Sequence, residues 1–282
     1  MNVLLTYVGG IAGQSIIKSL KKSKYCRDLK IFGLDCDEYA PSLKWVDVGI
    51  VCPKSKTEEY EKFIRKLMDN EKIDLYIPTG DEDLPFFSTL KSKYKETVFY
   101  MSDFETINLC QNKFEFYLKC KNDFDLPFTS INPLDIPYFE KPIYGRGSRG
   151  ARLINNERDI HHKEGMIYQE YIPGEEWSVD TLCNLKGEVL NITPRKRILI
   201  KSGISTQSKI ELNKDIIDIS YKLIKFLNIR GPACVQYKLD KNFNVKLIEL
   251  NPRFGGGIIF TTLAGINHAE MILDNFYNRP IN

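Results

Sequence analysis

No stretch of this chain stays apolar for the ~20 residues a helix needs to cross a bilayer, so a helical membrane protein is not expected. The first apolar run, Val3 to Val8, is too short for a signal-peptide core and has no basic segment ahead of it. The expected location is the cytoplasm, with no membrane partner. Paired cysteines are missing too. Cys26, Cys36, Cys52, Cys110, Cys120, Cys183 and Cys234 are scattered without a Cys-x-x-Cys, which reads as reduced thiols, many of them core fillers. The three histidines, His161, His162 and His268, sit near no cysteine pair, which argues against a zinc site. The net charge is only +3 and no basic block is long enough to form a tail, so nucleic acid is not an expected partner. No Ser/His/Asp or Cys/His nucleophile arrangement is evident, and neither is an internal repeat or a low-complexity linker.

What remains is the composition of an ordinary globular chain, 43% hydrophobic and 27% charged, and 282 residues are enough for two or three compact lobes. The first hundred residues alternate strand and helix. Val3 to Val8 reads as a strand buried on both faces, followed by Gly9, Gly10 and Gly13 and a helix over about 14–22. A strand at Ile31 to Asp35, an amphipathic helix at Glu58 to Asn70, and short strands at Leu75 to Pro78 and Val98 to Met101 continue the pattern. This alternation predicts a parallel, doubly wound sheet.

The pattern changes near Asp103. Helices over about 103–110 and 112–123 lead into short strands at 138–143, 151–154 and 166–172. Two hairpins follow: 177–184 with 189–200, turning at Lys186-Gly187, and 233–239 with 245–250, turning near Lys241-Asn242. A helix at 214–227 separates them. The fold class is therefore α/β followed by α+β.

Three segments carry chemistry. The most informative is Lys246 to Gly257, KLIELNPRFGGG. Period two puts Glu249 and Asn251 on one strand face, where a carboxylate and an amide oxygen make a hard-oxygen site suited to Mg²⁺. Gln236 on the partner strand supplies a further oxygen. Arg253 stands just beyond, where a guanidinium would hold phosphoryl or carboxylate oxygens, and Gly255, Gly256 and Gly257 would let the backbone approach a bulky ligand. The second segment is Lys141 to Gly150, KPIYGRGSRG. Its glycines and Ser148 leave N–H groups free to cradle phosphates beside a lysine, although no Gly-Lys-Ser/Thr closes it as a Walker A loop. The third, Gln169 to Asp180, QEYIPGEEWSVD, pairs a strand edge that could meet an adenine with glutamates that could bridge ribose hydroxyls. Taken alone, the second segment reads better as a flexible hairpin loop and the third as a hairpin with an acidic, solvated turn.

Together the three segments, in this order, resemble the ATP-grasp superfamily, and most of all its carbamoyl-phosphate-synthase-like branch. The start, LLTYVGGIAGQSI, GLDCDEYAP and IDLYIPTGDEDL, resembles that branch's preceding domain. The resemblance implies a Rossmann-like pre-ATP-grasp domain at 1–103. It implies a small lobe with the glycine-rich loop at 104–172 and a large lobe with the metal site at 173–282. It implies that Lys113 and Lys141 contact phosphates, together with Gly145, Gly147 and Ser148. Gln169, Glu170, Tyr171 and Ile172 resemble the adenine hinge, and Glu176 the ribose-binding acid, with Glu175 as the alternative. Gln236, Glu249 and Asn251 resemble the Mg²⁺ ligands. Lys141, Arg253 and Arg195 would be the catalytic cations, Arg195 lying in a basic segment, Arg195 to Arg197, that would line the site. ATP with one or two Mg²⁺ is the implied cofactor set, with Mn²⁺ as a substitute. The implied partners are a small carboxylate, an amine and a second copy of the chain.

The expected activity is an ATP-dependent carboxylate–amine ligase that forms an acyl phosphate and ADP. Three alternatives stay open: phosphorylation of bicarbonate or carbamate, a non-catalytic ATP-binding subunit, and a dinucleotide-dependent oxidoreductase. The last rests on Gly10, Gly13 and the strand-ending Asp35, which partly imitate a Rossmann fingerprint.

Overall fold

The computed structural model describes residues 1–281 except Arg146 and Ser148. The first sheet is built from β1 (Asn2–Leu5), β2 (Lys30–Asp35), β3 (Val48–Val51), β4 (Leu75–Ile77) and β5 (Val98–Phe99). All its pairings are parallel, and the strand order is β3-β2-β1-β4-β5. Helices α1 (Ile11–Lys22), α2 (Glu58–Asn70) and α3 (Leu84–Leu90) connect the strands. Local chemistry accounts for these elements. Thr57 caps α2 by accepting from the Tyr60 amide, and Glu58, Glu59 and Glu61 sit in its first turn against the positive end of the helix. Tyr60, Ile64, Leu67 and Met68 form its buried face. Helix α1 starts at Ile11, earlier than the sequence suggests. Gly13 permits this, because a Cβ there would lie 2.5 Å from the Tyr7 carbonyl oxygen.

Strand order reverses between β1 and β4, and the carboxyl ends of strands at such a switch point form a natural crevice. Tyr7 stands there with a left-handed backbone, φ 53°, its ring lying over Gly80, where a Cβ would come within 2.1 Å of it.

Helices α4 (Phe104–Gln111) and α5 (Lys113–Cys120) lead to a four-stranded antiparallel sheet. Its strands are β6 (Thr129–Ser130), β7 (Tyr138–Pro142), β8 (Arg152–Ile154) and β9 (Met166–Glu170), in the order β6-β9-β7-β8. The third sheet, order β12-β11-β10-β13-β14, is also antiparallel. It comprises β10 (Glu176–Cys183), β11 (Val189–Lys201), β12 (Ile204–Ile210), β13 (Gly231–Leu239) and β14 (Val245–Asn251), and α6 (Lys214–Phe226) follows β12. The return strand β12 is not anticipated from the sequence. Cys110, Phe116 and Cys120 of α4 and α5 share a core with Trp177, Val235 and Leu250, so these two helices pack on the third sheet.

The chain closes with α7 (Ile258–Leu263) and α8 (His268–Phe276), which pack against α1. Ile258, Ile272 and Leu273 join Ile16, Ile17 and Leu20 in one buried cluster. Ser19 and Thr262 share a 2.8 Å hydroxyl–hydroxyl hydrogen bond, and the Tyr25 hydroxyl donates to Asp274 at 2.6 Å. Among the described residues, no helix is long and apolar enough to cross a membrane.

Candidate active site

A cleft of about 910 Å³ lies between the four-stranded sheet and the last hairpin. Lys113, Lys141, Gly145, Gly147, Gln169, Glu170, Ile172, Glu176, Gln236 and Glu249 all line it. Residues from positions 113 to 249 therefore converge on one space. Ser148 lies outside the described residues.

On one wall, Lys141 of β7 donates to the Gln169 side-chain oxygen of β9 at 2.8 Å, and Gln169 passes its amide N–H to the Thr129 hydroxyl at 3.0 Å. Burial pushes the Lys141 amine down to about 8. Glu249 opposes that shift and the Lys113 cation reinforces it. Lys113, at the start of α5, donates to the Gly145 carbonyl at 2.8 Å and so ties the glycine-rich loop to the helix. Gly147 and Gly150 are left-handed, with φ 59° and 75°, so the loop's path favours glycine at both positions.

At the rim, Glu176 lines the cleft and pairs with Arg197, whose guanidinium also donates to the Gly203 carbonyl at 2.7 Å. Glu175 instead pairs with Lys196 outside the cleft lining. The Tyr171 ring turns toward Phe139 and the Lys238 amine, with centroid distances of 5.8 and 5.7 Å.

On the opposite wall, Gln236 and Glu249 face each other across β13 and β14, and Asn251 donates its amide N–H to Glu249 at 3.0 Å. Among the described residues, no three His, Cys, Asp or Glu side chains gather as a metal cage. One carboxylate and two amide oxygens suit a hard cation that completes its shell with water and phosphate oxygens. The donors present fit magnesium carried by a nucleotide.

A second cavity of about 960 Å³ adjoins the first and shares Lys113, Gly145, Arg149 and Glu249 with it. Lys56 from the loop after β3, Asp81 and Glu82 from the loop after β4, and Cys110, Gln111, Tyr144, Leu250, Asn251 and Pro252 also line it.

Two expected catalytic cations are placed elsewhere. Arg195 is 1% exposed. Its guanidinium donates to Asp180 through Nε at 2.6 Å and Nη2 at 2.9 Å, and it lines neither cavity. A buried charge needs a fixed partner, and Asp180 supplies it, so Arg195 is a core residue rather than a phosphate contact. Arg253 also lines neither cavity. Its fork is filled by Asp81, Nε to Oδ1 at 2.8 Å and Nη2 to Oδ2 at 2.7 Å. The glycine triplet serves packing at two of its three positions. A Cβ on Gly257 would lie 2.4 Å from Arg195 Nη1, and one on Gly255 would lie 2.7 Å from the Cys234 sulfur. The Asp35 carboxylate accepts from the Gly9 and Asp37 amides at 2.7 and 3.0 Å, so the turn itself occupies the group a ribose would need.

Sequence reasoning missed Arg149, Lys238 and Phe139 in the first cavity and Lys56, Asp81 and Glu82 in the second. Lys238 and Phe139 each sit two residues from an assigned position on the same strand, and that period-two spacing was a usable signal. Asp81 and Glu82 lie in the IDLYIPTGDEDL segment, which pointed to the preceding domain but not to the site.

Residues 162–281 match a family model described as ATP-grasp in the biosynthetic pathway with Ter operon, and residues 4–100 match a PylC-like N-terminal domain. No curated protein sequence matches the chain. Among solved structures, the L-amino acid ligase from Bacillus licheniformis superposes with a TM-score of 0.76 at 18% identity, covering 97% of this chain and 73% of that one. The biotin carboxylase from Campylobacter jejuni gives 0.76 at 17%, covering 99% and 72%. The N5-carboxyaminoimidazole ribonucleotide synthetase from Thermotoga maritima gives 0.68 at 19%, covering 100% and 76%. Residues 162–281 therefore carry an ATP-grasp match and residues 4–100 a PylC-like N-terminal match, and the solved ligase, carboxylase and synthetase structures share the fold of the whole chain.

Proposed function

We propose that this protein is an ATP-dependent ligase that activates a small carboxylate as an acyl phosphate and transfers the acyl group to an amine. The observation that carries this reading is the wall shared by the two cavities, where Lys113, Arg149 and Glu249 stand together. The first cavity takes ATP and the second takes the acid. A carboxylate oxygen attacks the γ-phosphorus, the bond from phosphorus to the bridging oxygen breaks, and ADP leaves. The amine then adds to the acyl carbon, the carbon–oxygen bond to phosphate breaks, and phosphate departs as nitrogen loses a proton.

Lys141 and Lys113 stabilise negative charge on the phosphates, Glu176 receives the ribose, and Gln169 to Ile172 border the base. Gln236, Glu249 and Asn251 hold Mg²⁺, or Mn²⁺ in its place, which supplies charge neutralisation on the phosphate oxygens. Catalysis is then chiefly positioning and electrostatics. Residues 1–103, 104–172 and 173–282 act as the acid-binding domain, the loop-bearing lobe and the metal-bearing lobe of a cytoplasmic homodimer.

Ligase and synthetase relatives of the same fold support the reading, as does a 2-oxoglutarate carboxylase domain solved as a dimer with MgADP and bicarbonate. The test is ADP release over pooled carboxylates and amines. A bicarbonate substrate is the second reading, and the same screen with bicarbonate as the acid separates the two. Turnover should require Mg²⁺ and disappear in Glu249→Ala; unchanged turnover in that variant would overturn the site.

A further inference from the structure

Asp81 lies in the loop after β4 of the first sheet and Glu249 in β14 of the third, yet a short relay joins them. The Asp81 carboxylate fills the fork of Arg253 with bonds of 2.8 and 2.7 Å. The same guanidinium reaches the Asn251 oxygen at 3.3 Å through Nη2. Asn251 in turn donates to Glu249 at 3.0 Å. A single amide therefore separates the Arg253 cation from the one carboxylate of the metal strand pair.

Asp81 and Arg253 are each only 14% exposed at the side chain, so this is not a loose surface pair. A guanidinium at that depth keeps a carboxylate partner whenever one is within reach, because an unpaired buried charge costs several kcal/mol. With Asp81 present, that partner is Asp81. Without it, the next carboxylate in the relay is Glu249.

We infer that Asp81 is a positioning residue that holds Arg253 away from Glu249, leaving Glu249 available to bind the nucleotide-borne divalent cation. The first sheet thereby contributes to metal affinity without touching metal or phosphate. This rests on the ligase reading only in assuming that Glu249 binds a nucleotide-borne cation.

The test is a titration of Mg²⁺ against binding of a fluorescent ATP analogue, which needs no turnover. In Asp81→Ala, the Mg²⁺ concentration for half-maximal binding should rise tenfold or more, because Arg253 competes for Glu249. The double variant Asp81→Ala/Arg253→Gln should return it to within about threefold of the parent, since the competitor is gone. A purely structural loss would not be rescued by removing a second side chain. If Asp81→Ala does not fold, Asp81→Asn keeps the shape and removes the charge. An unchanged Mg²⁺ requirement in the single variants, or no recovery in the double variant, overturns the inference. Parent protein that binds the analogue without any Mg²⁺ dependence would instead overturn the metal site on which the ligase reading depends.

Discussion

The Lys141 amine donates to the Gln169 side-chain oxygen at 2.8 Å, and this contact aims a half-buried lysine into the first cavity. Because Thr129 accepts from the other end of the same amide, the oxygen is fixed on the lysine side. Lys141 is therefore oriented before any phosphate arrives.

Lys141 also gives the site a pH signature. Burial holds its amine at about 8, against an ordinary value of 10.5, so the apo protein loses this charge as pH rises through about 8. Phosphates favour the charged form, and binding above that pH must bring a proton with it. ATP affinity is expected to weaken by up to about tenfold per pH unit between about 8 and 10.5. Lys141→Arg should flatten the profile, and Lys141→Ala should bind weakly at every pH. Calorimetric titrations in buffers of different ionisation enthalpy check both; a flat parent profile would refute the assignment.

A second pH effect concerns stability. Asp83 is 1% exposed, and burial pushes its carboxyl up to about 6 from 3.8, although the Tyr60 hydroxyl donates to it at 2.8 Å. The folded state thus binds this proton more tightly than the unfolded chain does. That contribution is complete below 3.8 and is lost as pH rises through about 6. Asp83→Asn should raise stability at pH 7 by on the order of 1–3 kcal/mol and remove this slope between about pH 4 and 6. Urea melts across that range measure it.

The buried Arg195–Asp180 pair provides a control on the site assignment. The Thr261 hydroxyl also donates to Asp180 at 2.6 Å, so the pair joins β10, β11 and α7. Asp180→Ala should cost about 3–5 kcal/mol by stranding the guanidinium, while Arg195→Met/Asp180→Leu should cost far less. ATP affinity of the folded double variant should stay within about threefold of the parent. A large loss of affinity would return Arg195 to the phosphate site.

Gly257→Ala examines the same neighbourhood from the backbone. Its Cβ would meet the Arg195 guanidinium at 2.4 Å, within a buried network that has little room to yield. An expected loss of about 1–3 kcal/mol follows from overpacking, readable as a lowered thermal midpoint.

The last hairpin was legible because Glu249 and Asn251 stand two apart, and the structure seats Gln236 directly opposite Glu249; the register shift beside that pair was not, and it brings Ile248 into the cleft next to Glu249, where strict alternation would turn it away. Four strands of the parallel sheet were legible from apolar runs bounded by turns, while the short, half-exposed edge strand β3 was not. Strand β12 was not, since ISTQSKI offers two isoleucines at its ends and mostly polar residues between. The fates of the arginines were hidden for another reason. Arg253 finds its acid 172 positions away. Arg195 finds Asp180 through a diagonal between β10 and β11 that exists only once their register is known. Charge and motif suggested an open guanidinium in both cases, and tertiary pairing closed it.

The docking of α7 and α8 on α1 also bears on how the polypeptide is made. Ser19 and Thr262 meet across 243 positions, so during synthesis the first helix waits for this contact until α7 has left the ribosome. Fragments that stop before Phe254 would keep the parallel sheet's strands yet lose Ile258, Ile272 and Leu273 from the cluster around α1, and should be recovered mainly as aggregates.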